Sequence, residues 1–159
     1  MRSTELDHLH AAYRYALALV GDRAEAEDLA QQGWLRLFER YGGVPARAAL
    51  YTTVRRIFVD RWRRERRVEL LALEEVDDPP ADPPLSAVDR VDLERALGCL
   101  RPFEREVLYL HAVEGWTAAE IAEWTERPRG TVLSLLFRAR RKLAAEVEAT
   151  GSPAAEGGA

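Results

Sequence analysis

Residues 115–143 read GWTAAEIAEWTERPRGTVLSLLFRARRKL, and this stretch decides the fold class. Thr117 followed by Glu120 is a capping box, in which the two side chains satisfy backbone N–H groups that a helix start leaves without partners. Ile121 and Ala122 then give a short helix its inward face. Pro128 and Gly130 mark a turn over residues 125–130, and a longer helix is expected from near Thr131 through Leu143 or beyond. Two helices joined this tightly form a helix-turn-helix. Its second helix enters the major groove of DNA, so it needs an inward apolar stripe and an outward polar and basic face. Val132, Leu136, Ala139 and Leu143 supply the stripe, and residues 127–142 hold six basic residues and no acid. That charge matches a phosphate backbone, although a solvated basic face accounts for the segment when it is taken alone.

Upstream the helical pattern continues. Pro102 stands where a missing N–H costs least, and a helix follows from Phe103 to about Glu114, stopped by Gly115. Ser86 with Asp89 marks another helix start, carrying Val91, Leu93, Ala96, Leu97 and Leu100. Before it, residues 74–85 combine four prolines with five acids, a composition that resists helix and buries no core. In the first half, Leu6, Leu9, Tyr13, Leu17 and Val20 predict one amphipathic helix, broken by Gly21-Asp22. A second is expected over residues 24–40 with Leu29, Ala30, Trp34, Leu37 and Phe38 inward, and a third over residues 46–67 with Leu50, Val54, Ile57 and Phe58 inward. No stretch alternates as a half-buried strand would. The expectation is an all-α chain of two small helical domains joined by a flexible, acidic, Pro-rich linker. The divisions are a domain over 1–70, a linker over 71–88, a helix-turn-helix domain over 89–148 and a disordered tail over 149–159.

The net charge of −4 taken over the whole chain argues against a nucleic-acid binder. The distribution reverses that reading, because residues 1–73 carry net +3, residues 74–92 net −6 and residues 93–159 net −1. Patches, not totals, steer polyanions at close range. The single cysteine, Cys99, can form no internal disulfide, which suits a reducing compartment, and no run approaches a membrane span or a signal-peptide core. A cytoplasmic location without membrane insertion is expected. His8 and His10 lack a third ligand nearby, His111 is isolated, and neither a phosphate loop nor a nucleophile motif is present. No metal, cofactor or catalytic residue is assigned, and the chain is not expected to be an enzyme.

The quoted helix-turn-helix resembles region 4 of the extracytoplasmic-function sigma factors. Residues 15–41, YALALVGDRAEAEDLAQQGWLRLFERY, and residues 50–67, LYTTVRRIFVDRWRRERR, resemble region 2 of the same family. The likeness covers about residues 4–68 and 89–146, in the family's order. It implies a transcription initiation factor that guides core RNA polymerase to promoters and supports their opening, often under the restraint of an anti-sigma factor.

The resemblance also implies roles. Core polymerase would be gripped by the helix carrying Asp28, Leu29, Gln31, Gln32 and Leu35, where Gln32 replaces the family's usual Glu. The minus-10 element would be met by Tyr51, Arg55, Arg56, Asp60, Arg63 and Arg64. Tyr51, Phe58 and Trp62 are interleaved with the arginines and could stack on unpaired bases, yet aromatics at helical spacing more often fill a core. Arg56 stands where the family often has Asn, and Ala49 where it often has Trp. The minus-35 element would be read by Arg129, Thr131, Leu133, Ser134, Leu135, Phe137, Arg138 and Arg141. Leu133 and Leu135 replace basic residues of many relatives. They could touch thymine methyl groups, or form an exposed apolar pair for a protein partner. A sigma-like module that binds polymerase or a regulator without reading promoters is therefore the second reading. An autonomous helix-turn-helix repressor is a third, and leaves residues 1–70 unexplained.

Overall fold

The computed structural model describes residues 2–65 and 97–151, all helix, turn or loop among the described residues. The chain divides into two compact units, Met1–Glu75 and Val76–Ala159. The Pro-rich segment and the helix start at Ser86 lie outside the described residues, as do Arg66 and Arg67.

The first unit contains α1 (Arg2–Val20), α2 (Arg23–Tyr41) and α3 (Arg47–Glu65), each packed against the other two. Gly21, at φ 71°, closes α1 by donating its N–H to Leu17 O at 2.9 Å. Asp22 opens α2, its carboxylate accepting from the Glu25 N–H at 2.9 Å. Gly42 ends α2 in the left-handed region at φ 69°. The buried face of α1 is Ala11, Ala12, Tyr15, Ala16, Ala18 and Leu19, about half a turn from the stripe expected from its larger residues. Leu6 is 55% exposed, and Leu9, Tyr13, Leu17 and Val20 are only half-buried. Tyr15 and Leu19 are the large side chains of that face and its other four members are alanines, so ranking positions by side-chain size points away from it. The Tyr15 and Tyr51 rings stack inside the unit, centroids 4.5 Å apart. In α3, Leu50, Val54, Ile57 and Phe58 are buried as expected, with Trp62 beside them.

Helices α2 and α3 pack closely at Gly33, where a Cβ would lie 2.9 Å from Val54 Cγ2. Alanine there gains about 1 kcal/mol of helix propensity but meets a stiff β-branched side chain, an overpacking cost of about 1–3 kcal/mol. Gly33→Ala should therefore fail to stabilise the protein. In a Val54→Ala background the same change should raise the melting temperature, so thermal unfolding of the four-protein cycle checks the close approach.

The second unit contains α4 (Pro102–Ala112), α5 (Ala118–Thr125) and α6 (Arg129–Gly151). Leu100, Leu108, Ala139 and Leu143 form a core cluster with Leu97 against it, and Phe103, Val107, Leu110, Ile121, Val132 and Leu136 are also buried. The capping box is present: the Glu120 N–H donates to Thr117 Oγ1 at 3.2 Å and the Thr117 N–H to Glu120 Oε2 at 2.9 Å. Helix α6 starts two residues before Thr131 and continues to Gly151, three residues into the segment expected to be an unstructured tail.

Candidate nucleic-acid and polymerase interfaces

Charged residues on α4 fix the frame that holds the helix-turn-helix. Glu104 is buried, and both its oxygens accept from Lys142 Nζ on α6, at 2.8 and 3.0 Å, while Oε2 also accepts from the Arg101 N–H at 2.9 Å. Arg105 donates from Nη1 to Leu100 O at 2.9 Å and Leu97 O at 3.3 Å. Burial pushes its guanidinium below the ordinary arginine pKa, and the neighbouring Glu104 carboxylate opposes that shift. The Arg127 guanidinium lies 4.1 Å from the centre of the Phe103 ring, pinning the turn between α5 and α6 onto α4. Trp116 and Trp124 meet edge to face at 5.3 Å, and His111 Nδ1 lies 2.7 Å from Trp116 O.

These contacts sort the basic cluster of residues 127–142. Arg127 packs on an aromatic ring, Arg140 is buried and Lys142 is tied to Glu104. Arg129 and Arg141 are exposed and Arg138 is half-buried, so these three bring the outward charge of α6. Thr131, Leu133 and Phe137 are half-buried beside them. Two expected contacts require correction. Leu135 is 1% exposed and belongs to the core, and Ser134 is buried with its hydroxyl donating to Gly130 O at 2.9 Å. Residues two apart on a helix point about 200° apart, so Leu133 and Leu135 cannot form one exposed pair.

On α2, Asp28, Gln31 and Leu35 are exposed and Gln32 is half-buried. Asp28 Oδ2 accepts from Gln32 Nε2 at 3.0 Å and from Arg61 Nη2 of α3 at 3.2 Å, which joins the two helices at the surface. Leu29 is fully buried, so it supports this face from inside and has no surface to offer a partner. Phe38, expected inside, is 48% exposed. It extends the stripe of Asp28, Gln31 and Leu35 at intervals of three, four and three residues, a periodicity the sequence carried and the inward assignment overlooked. On α3, Arg56, Asp60, Arg63 and Arg64 are exposed and Arg55 is half-buried. Tyr51 is not available to bases: it is buried against Tyr15, with Arg47 5.4 Å over its ring and donating to its hydroxyl at 3.2 Å. Phe58 and Trp62 are buried as well. The loop before α3 is anchored where His8 Nδ1 lies 3.0 Å from Pro45 O.

Residues 6–68 match the family model described as Sigma-70 region 2, and residues 90–143 match that of Sigma-70, region 4. The chain is 32% identical over 160 residues to the ECF RNA polymerase sigma factor SigL of Mycobacterium tuberculosis, covering 95% of this chain and 90% of that protein. The chain belongs to the extracytoplasmic-function sigma factors. BldN of Streptomyces coelicolor, another such factor, is 32% identical over 83% of this chain and 54% of its own length. Among solved structures, the sigma factor RpoE of Bartonella quintana, in complex with the anti-sigma factor NepR, superimposes with a TM-score of 0.63 at 25% identity, covering 95% of this chain and 98% of that one. The two regions and these relatives make this sigma factor a transcription initiation factor that binds core RNA polymerase and directs it to promoters. Its family is not one of enzymes, and no described helix is long and apolar enough to cross a membrane.

Proposed function

We propose that the sigma factor divides its work by surface, with polymerase and the minus-10 element served by residues 1–70 and the minus-35 element by residues 89–148. The outward stripe of α2 formed by Asp28, Gln31, Gln32, Leu35 and Phe38 docks on core polymerase, an apolar centre rimmed by polar groups as stable interfaces require. Arg56, Arg63 and Arg64, with Arg55 and Asp60 beside them, hold the minus-10 strand by backbone contact; the aromatic core beneath supports them without stacking on bases. Arg129, Thr131, Leu133, Phe137, Arg138 and Arg141 face the minus-35 duplex. The chain works in the cytoplasm and catalyses no reaction of its own. An anti-sigma partner is part of this reading, supported by the likeness to RpoE, which was solved with one.

The observation that carries the proposal is the sorting of arginines. Buried or paired members such as Arg105, Arg127 and Arg140 pack within their own unit, and alongside exposed arginines on α1 and α2 there are exposed ones on α3 (Arg56, Arg63, Arg64) and α6 (Arg129, Arg141), the helices that in the two matched regions would face DNA. In-vitro transcription with purified core polymerase on a random promoter library should yield initiation from promoters sharing minus-10 and minus-35 elements. Arg138→Ala with Arg141→Ala should lower binding to the selected minus-35 duplex about tenfold, two phosphate or base contacts of modest strength, and leave core binding unchanged. Tight core binding without initiation from any library member would favour the interaction-module reading.

A further inference from the structure

The open row of α6 is unusual for a helix meant to enter a groove. Gly130, Leu133, Phe137 and Arg141 follow one another at intervals of three, four and four residues, hence along one line of the helix surface. A Cβ placed on Gly130 would meet nothing within 4 Å, so the first turn presents bare backbone. The middle of the row is apolar: Leu133 and Phe137, one turn apart, remain partly open to solvent, whereas Val132, Leu135, Leu136 and Ala139 on the other side of the helix are buried. Arg129, Arg138 and Arg141 flank it with positive charge. An apolar strip bordered by arginines fits a polyanion whose central surface is itself apolar at defined points, and the major groove offers such points only at thymine C5-methyl groups.

We propose that Leu133 and Phe137 set the minus-35 preference of this sigma factor by contact with thymine methyl groups, while the flanking arginines fix the helix on phosphates. The inference rests on the reading of α6 as the minus-35 helix. Neither side chain can donate or accept a hydrogen bond. A guanine or cytosine edge placed against them would lose water without a replacement partner, and this penalises G·C pairs at the same positions. Burying one methyl group contributes about 0.8 kcal/mol, so each contacted methyl should contribute about fourfold in affinity.

The test uses holoenzyme and the minus-35 sequence obtained from the promoter library. Thymines in that element are replaced one at a time by deoxyuridine, which removes only the C5-methyl group, and binding is measured for the unaltered protein. At one or two positions the substitution should weaken binding about fourfold. Leu133→Ala and Phe137→Ala should each abolish the deoxyuridine effect at one position, and 5-methylcytosine should recover part of the loss caused by cytosine there. Equal binding of thymine and deoxyuridine probes throughout a selected element would overturn the methyl contact and leave the minus-35 reading intact. A library that yields no shared minus-35 element would refute both. Loss of a protein partner, not of DNA, on Leu133→Ala would assign the strip to a protein interface instead.

Discussion

Leu29→Ala should cost the sigma factor about 2–5 kcal/mol of stability and leave its residual folded fraction able to bind core polymerase, whereas Leu35→Asp should do the reverse. The two leucines are six residues apart on α2 and were expected to serve the same surface. Leu29 is fully buried in the first unit, so its truncation leaves a cavity that a close-packed core refills only in part. Leu35 is 55% exposed, and in the free protein aspartate there loses only about 0.5 kcal/mol of helix propensity. At the centre of the proposed docking stripe, the same change removes an apolar anchor and buries a carboxylate against the partner. A hot-spot loss of about 2 kcal/mol or more, roughly 30-fold in affinity, is expected. Phe38→Ala should weaken binding in the same direction. Urea unfolding and titration with labelled core polymerase separate the two effects. Core binding by Leu35→Asp within about threefold of the parent protein would remove this stripe from the interface.

The contrast shows what the sequence could and could not disclose. Residues that end or begin helices act through their nearest neighbours, so the break at Gly21-Asp22, the capping box of Thr117 with Glu120, and Pro102 were legible from their types and spacing alone. Which side of a helix faces inward depends on how many neighbours it has. In α6 the stripe of Val132, Leu136, Ala139 and Leu143 was correct because the pattern is strong and the polar face unmistakable. In α1 the buried face is four alanines with Tyr15 and Leu19, while Leu9, Tyr13 and Leu17 are only half-buried, so hydrophobicity alone pointed half a turn away. The candidate site suffered from the same ambiguity. Tyr51 and Leu135 occupy positions where the family resemblance suggested DNA contact, yet both are needed to fill the core of this chain. The arginines raised a different difficulty, because a cation reads the same in the sequence whether it meets DNA or, like Arg127 and Lys142, holds its own domain together.

Lys142 makes that last distinction measurable. By position it closes the basic run of the recognition helix, and an alanine scan for DNA binding would include it. Its ammonium instead sits 2.8 and 3.0 Å from the two oxygens of Glu104, whose side chain is 2% exposed, while its own is 39% exposed. The asymmetry predicts unequal effects of the two partners. Lys142→Ala leaves a carboxylate inside the second unit, still accepting from the Arg101 N–H but without its counter-charge, and should destabilise that unit by about 3 kcal/mol, the low end for a broken buried pair because the lysine side opens to water. Glu104→Gln keeps an acceptor for the Arg101 N–H and frees Lys142 to turn outward into solvent. About 1–2 kcal/mol is expected for that change. Combining the two should recover stability relative to Lys142→Ala alone, since the stranded charge is gone; additive losses would contradict the pairing. Denaturant unfolding of the second unit reads the cycle, and minus-35 binding measured well below the unfolding transition completes it. There Arg141→Ala should weaken binding and Lys142→Ala should not, because the Lys142 ammonium is held by Glu104 while Arg141 is exposed to meet a phosphate. A Lys142→Ala protein of unchanged stability that binds DNA less well would return Lys142 to the interface.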